Sequence, residues 1–229
     1  MALATTELSK IETTPARLKM SYEEFLDWAG DDTHAEWVNG EVILFMPVKD
    51  VHQAVLGFLN TLMILFTTLF DLGKIRTAPY AMRAVPGGSA REPDLLFVAK
   101  EHLDRVTEDR LVGPADLIIE IVSDDSVSRD RDDKFKEYRA AGVREYWIID
   151  PRPGKQRADF FRLDDNGDYR LFATEDDEQV ASQVISGFWL KPAWLWQADA
   201  LNPLTCALQI EGVAEAVTQQ IEQLQTKGV

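Results

Sequence analysis

The chain has 229 residues, 45% of them apolar, which supplies one sizeable core and argues against a chain disordered throughout. Its single cysteine, Cys206, excludes an intrachain disulfide and a thiolate metal cluster built from one chain, and it fits a reducing, cytoplasmic setting. With 24 Lys and Arg against 39 Asp and Glu, the formal net charge of −15 excludes a uniformly basic surface for nucleic acid, though not one local basic groove.

Residues 1–18 read as a flexible arm, with charges mixed through them and no apolar centre of a signal peptide. Ser21 followed by Glu24 is the pattern of a capping box, opening a short helix to about Trp28. Residues 36–45 read as a hairpin turning at Asn39-Gly40. Residues 50–71 form a long apolar helix that Gly73 is placed to end. Its uncharged stretch contains Asn60, Thr61, Thr67 and Thr68 and falls short of the ~20 residues of a span, so a buried core helix is expected and no membrane association.

Residues 75–85 suggest a strand and residues 86–89 a turn, followed by two short apolar strands at 94–99 and 117–122. Residues 129–141 are helical in pattern, with Asp130, Asp132 and Asp133 in the first turn and Gly142 as terminator before a strand at 143–149. Strand, helix and strand in such short order imply a right-handed crossover and a parallel pair. A second hairpin is expected at 158–163 and 169–173. The aromatics Phe188, Trp189, Trp194 and Trp196 read as core lids or an oligomer contact, because no Lys or Arg interleaves with them as in a base-stacking platform. The economical reading is one mixed α/β domain over residues 19–200, with 201–229 a partly helical tail.

The candidate chemistry lies in three residues. Asp94 begins one strand behind Pro93, and on its own it is an ordinary strand-end carboxylate. Glu120 follows Leu117-Ile118-Ile119 and precedes Ile121-Val122, so a charge sits inside an apolar strand and demands a metal, a cation or a wet cleft. Alternation puts residues 118, 120 and 122 on one face, and Val122 stands where a cation would share it. The cation must therefore come from elsewhere: Lys134 on the next helix is the candidate, with Arg131 and Lys136 competing. Two converging acids can hold a divalent cation, and a nearby lysine can screen phosphate or orient a water.

These residues resemble a bacterial restriction-endonuclease-like family, long labelled a domain of unknown function, within the PD-(D/E)XK nuclease superfamily. The resemblance is carried by Glu92-Pro93-Asp94, by Glu120 in Ile-Glu-Ile-Val-Ser, by Asp130, Lys134 and Tyr138, and by residues 142–151, whose Gly-Val-Arg-Glu-Tyr-Trp block is the specific part. It extends upstream to Glu36, Asn39-Gly40-Glu41 and His52 and covers residues 20–197. It implies a mixed β-sheet flanked by helices, with Mg²⁺ or Mn²⁺ held by Asp94, Glu120 and the backbone carbonyl of Ile121. It also implies a motif lysine displaced onto the following helix at Lys134, an additional acid at Glu36, and a recurrent position of open role at His52. Asp124 and Asp125 depart from the family's usual proline and small residue, adding negative charge beside the site.

The expected activity is hydrolysis of nucleic-acid phosphodiester bonds, with DNA as the partner and a homodimer as the assembly. A binding or regulatory module that kept the fold without catalysis is the alternative, and the net charge favours it. A carboxylate-pair sugar hydrolase would explain Asp94 and Glu120 but leave Lys134 without a task.

Overall fold

The computed structural model describes residues 17–30, 33–45 and 48–227. The expected N-terminal arm falls, as far as residue 16, outside the described residues, and Arg17–Lys19 is already the first strand, β1. Helix α1 (Tyr22–Trp28) opens on the expected capping box: Glu24 N donates to Ser21 Oγ at 3.1 Å and Ser21 N to the Glu24 carboxylate at 2.7 Å. Strands β2 (Ala35–Val38) and β3 (Glu41–Leu44) pair antiparallel around Asn39 and Gly40, whose φ values of 50° and 86° are the left-handed pair a tight hairpin needs. With β1 on the far side of β3 they make a small sheet, packed through Tyr22, Phe25, Ala35, Val42 and Ala90.

Helix α2 (Asp50–Leu69) is long and apolar enough to cross a membrane by length and composition. One side of it, Val55, Phe58, Leu59, Leu62, Met63 and Phe66, is buried in the largest core cluster. It stops at Phe70 and Asp71, the latter with φ 52°, and not on Gly73. Gly73 instead opens β4 (Gly73–Thr77) at φ 153°, so close to β6 (Leu95–Ala99) that a Cβ there would lie 2.1 Å from the Val98 carbonyl oxygen. The single strand expected at 75–85 is two: beyond Pro79, which has no N–H for a ladder, β5 (Ala81–Arg83) leaves the main sheet and pairs in parallel with β7 (Arg110–Val112).

The main sheet continues with β8 (Leu117–Ile121), β9 (Glu145–Asp150), β10 (Arg157–Leu163) and β11 (Tyr169–Thr174), in the order β11-β10-β9-β8-β6-β4. Only β8 and β9 run parallel. Their connection carries a wide π-helical turn at Arg129–Lys134, then α3 (Phe135–Ala141), ended by Gly142 at φ 81°. The helix expected over 129–141 is therefore helical along its whole length, but its first part is wound wider than an α-helix.

Both faces of the central strands are covered, which is why they read as unbroken apolar runs. Leu95, Phe97, Leu117, Ile119 and Ile121 face α2, whereas Leu96, Val98, Ile118, Val122 and Tyr146 belong to the core with Tyr138 of α3. Phe188 and Trp194 are buried against the α2 core, the lid position expected of that aromatic segment; between them lies β13 (Trp189–Leu190), paired with β12 (Val180–Ala181). The tail is helical, as α4 (Pro203–Ala207) and α5 (Val213–Lys227). Its first part is no appendage, since Cys206, Ala207, Ile210 and Val213 join the same core.

Candidate active site

Asp94 stands immediately before β6, opposite the end of β8. Its Oδ2 accepts from Ile121 N at 2.7 Å and lies 3.3 Å from His52 Nε2 in the first turn of α2. Glu120 points to the α3 side of the sheet, where its Oε1 accepts from Lys134 Nζ at 2.9 Å and from the Tyr138 hydroxyl at 3.0 Å. The Lys134 ammonium also lies 3.0 Å from Glu36 Oε1 and 3.7 Å from Asp130 Oδ1. Asp130 and Lys134 are four residues apart, and the wide turn between them directs both inward.

Behind Lys134 the network runs into the small sheet. Glu36 on β2 is fully buried; its Oε2 accepts from Arg91 at 2.8 Å and its Oε1 from Glu92 N at 3.2 Å. Arg91 turns its other edge to Glu137 of α3, with bonds of 2.8 and 2.5 Å. One arginine thereby joins the small sheet, the approach to β6 and the helix that carries Lys134.

Burial and charge compete throughout this cluster. Burial alone would push the Lys134 ammonium down, but Glu120, Glu36, Asp130 and Asp94 outweigh it and hold the lysine charged. For Glu36, burial works upward and is overcome by Lys134 and Arg91, so the carboxyl lies below its ordinary value. Glu120 goes the other way: burial, with Asp130, Asp94 and Glu36 around it, pushes it up to about 8 despite Lys134. Glu92 is pushed up to about 8 by burial and then by Glu36. Burial also raises Asp130, against the pull of Lys134. The cluster holds more carboxyls than cations, and Glu120, Glu92 and Asp130 are the ones pushed toward the protonated form.

These groups border a cavity of about 730 Å³, within the range of ligand-binding clefts. Asp94, Glu120, Ile121 and Lys134 line it together, with His52 and Asp130 beside them. Glu36 does not line it and lies behind Lys134. Of the three cations considered from sequence, only Lys134 reaches Glu120: Arg131 pairs with Asp159 at 2.5 Å, and Lys136 is exposed. The acidic pair after the strand divides. Asp124 is neutralised by Lys49 at 2.5 Å and Arg152 at 3.4 Å, while Asp125 lines the cavity and accepts from Ser123 Oγ.

The arrangement has room for a hard cation. Each acid is pinned through one oxygen, so Asp94 Oδ1 and Glu120 Oε2 accept no hydrogen bond among the described residues, and Asp130 Oδ1 is buried without one. Among the described residues no three His, Cys, Asp or Glu side chains gather as a complete cage. Mg²⁺ needs no such cage, since it takes one or two carboxylates and keeps several waters. An oxygen-only set of two carboxylates and a backbone carbonyl fits that ion or Mn²⁺.

Sequence reasoning assigned no role to Arg91, Glu92 or Arg129. Arg91 leaves no local signal, because its partners lie 55 and 46 residues away. Asp130 had one: its four-residue spacing from Lys134 puts both on one side of a helical turn.

A mixed six-stranded sheet flanked by helices is the restriction-endonuclease-like architecture expected from sequence. Among solved structures, a putative nuclease belonging to DUF820 from Anabaena variabilis ATCC 29413 superposes with a TM-score of 0.63 at 17% identity, over 77% of this chain and 97% of that one. At that identity the likeness is one of fold. No curated protein matches the chain. The sequence profile of the Uma2 family, described as putative restriction endonuclease, matches residues 22–193, a span that runs from α1 through the whole charge cluster and the main sheet to just beyond β13. On that match, the chain belongs to the Uma2 family of putative restriction endonucleases.

Proposed function

We propose that this protein is a metal-dependent endonuclease that hydrolyses phosphodiester bonds of nucleic acid, DNA foremost, with Mg²⁺ or Mn²⁺ held by Asp94, Glu120 and the Ile121 carbonyl. One observation supports the reading above all: Asp94 and Glu120, at neighbouring strands, line one cavity, and each keeps an oxygen that accepts no hydrogen bond among the described residues. Such a cation, when bound, lowers the pKa of a water and stabilises charge developing on the phosphate.

The protein's own part is positioning. Ile121 N–H and His52 Nε2 fix one oxygen of Asp94. Lys134 and Tyr138 fix one oxygen of Glu120, and Lys134 keeps positive charge at the cavity wall, where phosphate must approach. Glu36 touches neither cavity nor substrate; with Arg91 behind it, it is a positioning residue that holds Lys134.

A non-catalytic module of the same fold is favoured by the acids crowding the cavity, Glu92, Asp125 and Asp130 among them. The test is cleavage of linear, circular and single-stranded DNA in Mg²⁺ or Mn²⁺, with Glu120→Ala beside the wild type. Cleavage by the wild type alone supports the nuclease. Metal binding by calorimetry with no cleavage by either protein moves the reading to the module.

A further inference from the structure

The chain's net charge of −15 and the acids Glu92, Asp94, Glu120, Asp125 and Asp130 around the cavity pose a problem for any polyanionic substrate. Among the described residues only two arginine or lysine side chains line that cavity, Lys134 and Arg129. Lys134 is committed, with Glu120, Glu36 and Asp130 all within 4 Å of its ammonium. Arg129 is not. Among the described residues no carboxylate forms an ion pair with it, whereas Arg91, Arg131, Arg144 and Arg152 all have such partners. Its Nε is buried and has no hydrogen-bond acceptor. Its guanidinium carbon stands 4.9 Å from the centre of the Phe45 ring, another part of the cavity wall.

A buried donor without an acceptor is costly, and evolution seldom leaves one idle. The guanidinium plane offers a fork of N–H groups that matches two oxygens of a phosphate, and an aromatic face braces that plane without neutralising it. The π-helical turn that aims Asp130 and Lys134 inward starts at Arg129, so the acids, the committed lysine and the uncommitted arginine arrive together. We infer that Arg129, braced on Phe45, binds the non-bridging oxygens of a nucleic-acid phosphate seated in this cavity. The inference rests on the nuclease reading and deepens it, naming the residue that meets the substrate's charge. Arg129 thereby supplies locally the attraction that the chain lacks on average.

The test is fluorescence anisotropy of a short labelled DNA duplex and of its single strand in Ca²⁺, over a range of salt, with wild type, Arg129→Ala, Arg129→Gln and Arg129→Lys. Lys136→Ala, an exposed lysine outside the cavity, is the control, and cleavage of the same DNA in Mg²⁺ is followed in parallel. Arg129→Ala and Arg129→Gln are expected to weaken binding about tenfold and to flatten the slope of log affinity against log salt by about 0.9, the loss of one phosphate contact on duplex DNA. Arg129→Lys should keep the slope while losing part of the affinity. Should Arg129→Ala lose its cooperative thermal transition, Arg129→Gln decides. Affinity and slope equal to wild type in the neutral variants, beside wild-type cleavage that Glu120→Ala abolishes, would overturn the role of Arg129 alone. A wild type that neither binds nor cleaves would overturn the nuclease reading as well.

Discussion

Lys134 and Glu120 meet across 2.9 Å at the cavity wall with side-chain exposures of 4% and 3%, a pair almost wholly withdrawn from bulk solvent. A pair so placed contributes little over an apolar isostere, yet removing one partner strands the other, at about 3–5 kcal/mol. Lys134→Met strands Glu120, Glu36 and Asp130 together. It is expected to lower unfolding free energy by about 3 kcal/mol or more. Adding Glu120→Gln to it should restore part of that loss, with a coupling of at least ~1 kcal/mol. Urea denaturation of the two single variants and the double variant measures both quantities.

Glu36 holds two cations and faces no cavity, so its effect on activity should pass through Lys134. Glu36→Gln keeps the shape and removes the charge. The expected result is a fall in kcat of roughly 10–100-fold with little change in KM, in line with other outer residues that orient a metal site. Steady-state kinetics on a single DNA substrate would separate the two constants. A rise in KM at unchanged kcat would instead place Glu36 in substrate binding.

The raised carboxyls make stability and metal affinity depend on pH with opposite signs. In the folded protein burial pushes the Glu120 and Glu92 carboxyls up to about 8, above the ordinary carboxylate value near 4.5. Between those limits the folded protein binds more protons than the unfolded chain, so this contribution to stability is full below pH ~4.5 and is lost as pH rises toward 8. Without added metal, the melting temperature should therefore fall over that interval, and Glu120→Gln should flatten the fall. If the proposed cation binds at Glu120, it would displace that proton, so Mg²⁺ affinity should climb by up to about tenfold per pH unit until it levels near pH 8. Melting curves with EDTA and with Mg²⁺ across the interval test both trends.

Two glycines predict opposite outcomes for one substitution. Gly57→Ala on the exposed side of α2 meets open space, and should stabilise by about 0.5–1 kcal/mol through helix propensity. Gly73→Ala drives a Cβ to 2.1 Å from the Val98 carbonyl oxygen at φ 153°, and should cost at least about 2 kcal/mol. Thermal or urea unfolding of each variant against wild type decides.

That contrast shows where the sequence is legible. Local chemistry is readable: Ser21 with Glu24, Asn39 with Gly40, and Gly142 closing its helix all sit where spacing puts them. Glu120 is also legible, because a charge inside an apolar strand needs a partner wherever that partner comes from. The remainder is set by distant pairing. Gly73 appears to end a helix until β6 lies against it, and 75–85 passes for one strand until Pro79 sends β5 to β7. Lys134 could be drawn toward Glu120 by the demand for a cation, whereas Arg91 and Arg129 carry no mark in their neighbours. Their roles come from partners, or the want of one, that only the folded chain brings near.

Arg91, bonded at once to Glu36 and Glu137, also determines from which side the carboxylates can be reached. The first sheet cannot swing out as a flap without abandoning a guanidinium that is 3% exposed, together with the buried acid it grips. That side of the molecule is a fixed wall. His34 and Phe45, joined at the open end of that same small sheet, help to form the wall of the cavity. Under the nuclease reading, the width of the cavity mouth is then a fixed property of the fold and not something a hinge of the small sheet adjusts.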